Sequence, residues 1–99
     1  MDNIQQLYIK RIEDNAVWTK LDKGIMIIMT ADNQEKVLDL NKTAACLWEK
    51  SDGSQTVGEL VEHLCRTYDV DEQAALADVI DFIEAMKKKN LLAVSEAAT

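Results

Sequence analysis

Between Leu40 and Glu49 the hydrophobic period of this chain changes from two to about 3.6, and that switch dictates what the chain can become. Leu40 closes an apolar run. Asn41 follows, and its side-chain oxygen can accept a free helix N–H and so begin a helix. Beyond it, Ala44, Ala45, Leu47 and Trp48 recur at helical spacing. A strand runs directly into a helix here, with sheet before the junction and helices after it.

Upstream, Val17-Trp18-Thr19-Lys20-Leu21 is β-branched and aromatic. Asp22-Lys23-Gly24 has the composition of a tight hairpin turn. Ile25-Met26-Ile27-Ile28-Met29 is apolar on both faces, as a central strand covered on both sides would be. Ala31-Asp32-Asn33-Gln34 reads as a turn, and Lys36-Val37-Leu38-Asp39-Leu40 as a third strand. The expected product is a three-stranded antiparallel meander with its third strand at an edge. Helices can cover only one face of it, so the N-terminal segment or a second copy of the chain is expected on the other. Within residues 1–15, Ile4, Leu7, Tyr8, Ile9 and Ile12 fit one side of a short helix or strand.

Downstream, three helices are expected. The first runs from about Lys42 to Lys50, with a turn at Ser51-Asp52-Gly53-Ser54. Thr56 and Glu59 form a capping box for the second, whose apolar face carries Val57, Leu60, Val61, Leu64, Cys65 and Tyr68. Asp71 caps the third, from Glu72 to about Lys89. Its apolar set of Ala75, Leu76, Val79, Ile80, Phe82, Ile83 and Met86 is wider than one packing face needs. Lys87-Lys88-Lys89 suits the negative end of the helix dipole. Asn90 tolerates the left-handed backbone that stops a helix, and Leu91 and Leu92 are expected to return to the core. The fold class is therefore α+β: a three-stranded antiparallel sheet followed by three helices, winged helix-turn-helix-like. The division expected is residues 1–15 as an N-terminal segment, 16–94 as the domain and 95–99 as a frayed tail.

Charge narrows the function. A net charge of −7 argues against a general nucleic-acid surface and against an anionic membrane. A winged helix invites a DNA-binding reading, but the third helix carries Glu72, Asp78, Asp81 and Glu84 and no arginine to read guanine edges. No signal peptide or membrane span is visible and the two cysteines are far apart, so a cytoplasmic protein with reduced thiols is expected.

No catalytic constellation is found, and the chain is read as no enzyme, without metal or cofactor. Cys65 and His63 lie two apart on one helix and point about 200° away from each other, so they cannot pair. The three glycines are scattered and form no phosphate loop. Asp78, Asp81 and Glu84 are best read as a solvated acidic face. What is left is a surface that binds a chain: the third strand offers a free edge, and the wide stripe of the third helix would line a groove beside it. Composition alone favours the plainer alternative, in which the stripe is core and the edge is solvated.

A resemblance changes that balance. The ordered set Leu40-Asn41-x-Thr43-Ala44-Ala45-x-x-Trp48-Glu49, Asp52-Gly53, Thr56-Val57-x-Glu59-Leu60-Val61, Tyr68-Asp69-Val70-Asp71, Asp78-Val79-x-x-Phe82-Ile83 and Leu91-Leu92 resembles the PqqD family, from about Val17 to Leu92. These are peptide chaperones, or recognition elements, of ribosomal peptide maturation such as pyrroloquinoline quinone (PQQ) synthesis. The resemblance implies that the leader segment of a precursor peptide adds as a strand beside the third strand and lies against the third helix. A modifying enzyme, of radical SAM type, then receives it. Carried onto this chain, the peptide-binding residues would be Lys36, Val37, Leu38, Asp39 and Leu40 on the strand, with Asp78, Phe82, Ala85 and Met86 on the helix. Asn90 stands where the family commonly has glycine. The alternatives kept open are an acidic winged-helix adaptor or regulator that binds another protein, and a homodimer or strand-swapped dimer.

Overall fold

The computed structural model describes residues 4–97. After a 3-10 turn at Ile4–Gln6 come β1 (Tyr8–Arg11), β2 (Ala16–Leu21), β3 (Gly24–Ala31) and β4 (Gln34–Leu40). They are followed by α1 (Lys42–Lys50), β5 (Asp52–Thr56), α2 (Val57–Tyr68), α3 (Glu72–Lys88) and β6 (Leu92–Ser95).

The meander forms as its sequence dictates. β2 and β4 flank β3, both antiparallel, with Trp18, Ile27 and Leu38 in register across the three strands. Asp32 and Asn33 both have positive φ, 54° and 62°, the backbone of the two-residue turn whose twist suits a hairpin. At the other hairpin, Gly24 fits only because it lacks a side chain: a Cβ there would collide with the Leu40 carbonyl oxygen. That close approach holds the start of β3 against the end of β4, where α1 begins.

All three helices are capped as expected. Asn41 Oδ1 accepts from Ala44 N at 2.9 Å, and Asp71 Oδ1 accepts from Ala74 N at 2.8 Å. Thr56 and Glu59 exchange both bonds of the capping box. Asn90 takes the left-handed conformation, φ 59°, after the end of α3.

The single sheet expected from the sequence is replaced by two. β1 is the centre of a second three-stranded sheet, between β5 and β6. Asp52–Thr56, expected in part as a turn, is a strand, and Leu91 and Leu92 are buried at the start of the returning strand β6. Ser95, expected at the start of the frayed tail, still pairs with Tyr8; residues 1–3 of the N-terminal segment and 98–99 of the tail lie outside the described residues. The wing-like meander and the helical trio are present, but they are completed by a sheet gathered from three separate parts of the chain.

One core joins these layers. Ile9 from β1, Ile25 and Ile27 from β3, Leu47 and Trp48 from α1, Leu60 and Leu64 from α2 and Val79 from α3 are all essentially inaccessible. Arg11 ties the sheets together. Its guanidinium donates to the carbonyls of Trp48 and Glu49 at the end of α1, both at 2.8 Å, and lies 5.4 Å from the centre of the Trp18 ring. A cation suits the C-terminal carbonyls of a helix. The described part of the N-terminal segment does not cover the outer face of the meander, where Val17, Leu21 and Val37 are 66%, 52% and 61% exposed. Ile28, paired between Val17 and Val37, is half-buried on that side.

Candidate peptide-binding groove

The two borders of the meander differ. On the β2 side the inner face is filled: Trp18 meets Trp48 edge-to-face at 6.1 Å and 89°, and its indole N–H donates to Glu13 Oε1 at 2.8 Å. Lys20 pairs with Glu49 across the same border at 3.3 Å. On the β4 side the inner face opens into a cavity of about 330 Å3. β4 pairs with β3 alone among the described residues, so its other side presents unpaired backbone groups.

The cavity lies between β4, α1 and α3. Side chains alternate along a strand, so Leu38 and Leu40 turn inward and line it, whereas Val37 and Asp39 are exposed on the outer face. Lys36 shares the inward phase but stands at the mouth of a second, adjoining cavity of about 530 Å3. From α3, Asp78, Phe82, Ala85 and Met86 line the first cavity. Phe82 and Met86 are 7% and 2% exposed and form its floor; they are core residues with one side on the groove. Asp78 and Ala85 are exposed at its rim.

Of the nine residues considered from the sequence, six thus line one cavity, Lys36 lies next to it, and Val37 and Asp39 face away. Sequence reasoning missed the third wall, made by Asn41, Thr43, Ala44 and Leu47 of the α1 region, and also Lys89 of the rim, where Asp81 joins Asp78. A signal for that wall existed: the apolar stripe of α1 is needed on two sides, because the helix lies on the sheet with Trp48 and beside α3 with Leu47.

A different pair of groups comes together away from the groove. His63 does not face Cys65, as their spacing requires, but its Nε2 lies 3.1 Å from the Cys46 sulfur of α1 and 3.3 Å from Thr67 Oγ1. Burial raises the Cys46 thiol, and burial, with the Lys50 charge beside it, lowers the His63 imidazolium. Both shifts favour the uncharged thiol and imidazole, a hydrogen bond between two helices rather than a charged pair. Among the described residues no cluster of three or more His, Cys, Asp or Glu side chains is arranged to hold a metal ion. No helix of the described residues is long and apolar enough to cross a membrane.

The family model described as coenzyme PQQ synthesis protein D (PqqD) matches residues 26–92, which span β3 to the first residue of β6 and include every wall of the groove. The chain belongs to the PqqD family. The match begins inside the meander and leaves out β1 and β2, so the border filled by Trp18 lies outside the shared region while the open border lies within it. No curated protein and no solved structure matches the chain significantly.

Proposed function

We propose that this PqqD-family protein is a non-enzymatic module that binds the leader segment of a ribosomally made precursor peptide along β4 and presents it to a modifying enzyme of radical SAM type. The observation that carries this reading is the unpaired edge of β4 running beside a cavity floored by Leu38, Phe82 and Met86. An extended peptide placed there continues the meander as a fourth strand and lays alternate side chains toward α3.

Magnitudes decide what such a site must use. Each backbone hydrogen bond contributes about 0.5–1.5 kcal/mol net, and ordering each peptide residue costs about 1–2 kcal/mol. Strand addition alone therefore roughly breaks even. Affinity has to come from apolar side chains buried in the cavity, at about 25 cal/mol for each Å2 removed from water. This explains why an edge is useful only where a groove adjoins it, and why β4 rather than β2 is the binding strand.

The test is titration with synthetic leader segments of short open reading frames beside this gene, followed by amide NMR. Saturable shifts confined to β4, α1 and α3 are expected, and Ala85→Arg, which fills the exposed rim without touching the core, should abolish them while leaving the melting temperature unchanged. Binding that survives Ala85→Arg, or shifts confined to the outer face of the meander, would overturn the reading. Tight binding of duplex DNA in a low-salt gel shift would favour the winged-helix regulator instead.

A further inference from the structure

The groove has opposite charges at its two ends. Asp78 and Asp81 line only the cavity that holds Leu38 and Leu40. Lys36 and Lys88 line only the adjoining cavity, and Lys89 stands where the two meet. The second cavity has one carboxylate, Asp14, against those three lysines. All five rim charges are exposed, and none is in an ion pair among the described residues. Acidic and basic groups so close along one trough would neutralise each other if they touched; held apart, they remain available to a guest.

Resting on the peptide-binding reading above, we propose that the groove selects peptides carrying a basic residue, an apolar residue and an acidic residue at alternate positions, in that order from N- to C-terminus. The order follows from strand direction. β4 runs from its Lys36 end to its Leu40 end, and the sheet is antiparallel throughout. An added antiparallel strand, the slightly more stable pairing, starts opposite Leu40 near Asp78 and Asp81 and ends opposite Lys36. Its basic group comes first and its acidic group last.

The spacing follows from helix geometry. Asp81 and Lys88 are seven residues apart on α3, and Asp78 lies eleven before Lys89, the residue that caps its end, or about 10–16 Å at 1.5 Å per residue. A strand covers that distance in about three to five residues. Residues that face one side recur every second position, so four is the separation that fits. The motif is basic-x-apolar-x-acidic, with the apolar residue over Phe82 and Met86. A peptide of the same composition in the reverse order would set like charges together at both ends.

The test is panning of a phage-displayed library of random twelve-residue peptides against the protein and against two charge-reversed forms. One form is Lys36→Glu with Lys88→Glu and Lys89→Glu, and the other is Asp78→Lys with Asp81→Lys. All five positions are exposed, so folding is kept; matching melts verify it. Wild-type binders should be enriched in the stated motif. A synthetic binder should lose about tenfold in affinity when its two charges are exchanged, since each exposed pair contributes a few-fold. Each charge-reversed form should lose the preference at its own end only. Binders that shift the β4 amides but show no charge order overturn this inference and leave the peptide-binding reading standing. Failure of every enriched peptide to shift the β4 amides overturns both.

Discussion

The two three-stranded sheets of this protein are built in opposite ways. The meander β2-β3-β4 is continuous in sequence, joined by two short turns, and leaves its β4 edge unpaired among the described residues. The sheet β5-β1-β6 is gathered from residues 8–11, 52–56 and 92–95, and it draws the two ends of the described chain together around Ile9. A meander made by neighbours needs little from the rest of the chain, so one of its edges can be spared for a guest. The second sheet needs all of the chain, and its task is to hold the helices that wall the groove.

This difference sets the expected size of substitutions. Ile9→Ala should cost about 2–5 kcal/mol, because a fully buried side chain is lost at the centre of the sheet that joins the chain ends. Urea denaturation measures it. A loss below about 1 kcal/mol would mean that the second sheet is peripheral to the fold. Arg11→Met keeps the aliphatic stem but removes both bonds to the α1 carbonyls, at about 1.5–3 kcal/mol. The same denaturation, with tryptophan fluorescence as the probe, should also show a changed environment for Trp18 and Trp48. On the open outer face of the meander, Val37→Thr should change stability by no more than about 0.5 kcal/mol. A larger loss would show that this face is covered in solution, and light scattering would then detect the second copy.

The same contrast explains what could be read from the sequence. The meander was readable because its signals are local: short β-branched and apolar runs, one of them apolar on both faces, Asp-Asn at one turn and glycine at the other. The helices were readable from their caps. The second sheet was not. Asp52-Gly53-Ser54-Gln55-Thr56 opens with two residues depleted in strands and has no apolar alternation, and it is extended because Tyr8–Arg11 lies alongside and the Arg11 amide donates to Ser51 O at 2.7 Å. Tyr8–Arg11 and Leu92–Ser95 are too short to show a period, and each is a strand because of the other. The groove was half readable for a related reason. Strand phase places Leu38 and Leu40, and helix phase places Phe82 and Met86; the apolar stripe of α1 shows that this helix packs on two sides, but which side walls the groove depends on the angle between helices, which no local pattern encodes. The His63–Cys46 bond escaped for the same reason, being made between residues seventeen apart on different helices.

The smallest effect expected separates the sheets by their response to acid. At the seam between β1 and β2, the Trp18 indole bond, with Arg11 beside it, holds the Glu13 carboxyl below its ordinary value of 4.5. In β5, bonds from Ser54 hold Asp52 below 3.8. A carboxyl whose pKa is lower in the folded state stabilises the fold above its unfolded value. That contribution is lost as pH falls through the folded value, because the unfolded chain takes up the proton first. Stability should therefore decline as pH drops below about 5. Glu13→Gln, which keeps an acceptor for Trp18 but cannot titrate, should decline less steeply than the wild type over the same range. Both carboxyls are largely exposed, so the difference will be small, and it is best read by amide exchange corrected for intrinsic rates. Protection in β1 and β5 should weaken before that in β3. If β3 and β4 lost protection first, the seam would not be the acid-labile element, and the meander rather than the gathered sheet would be the fragile half of the fold.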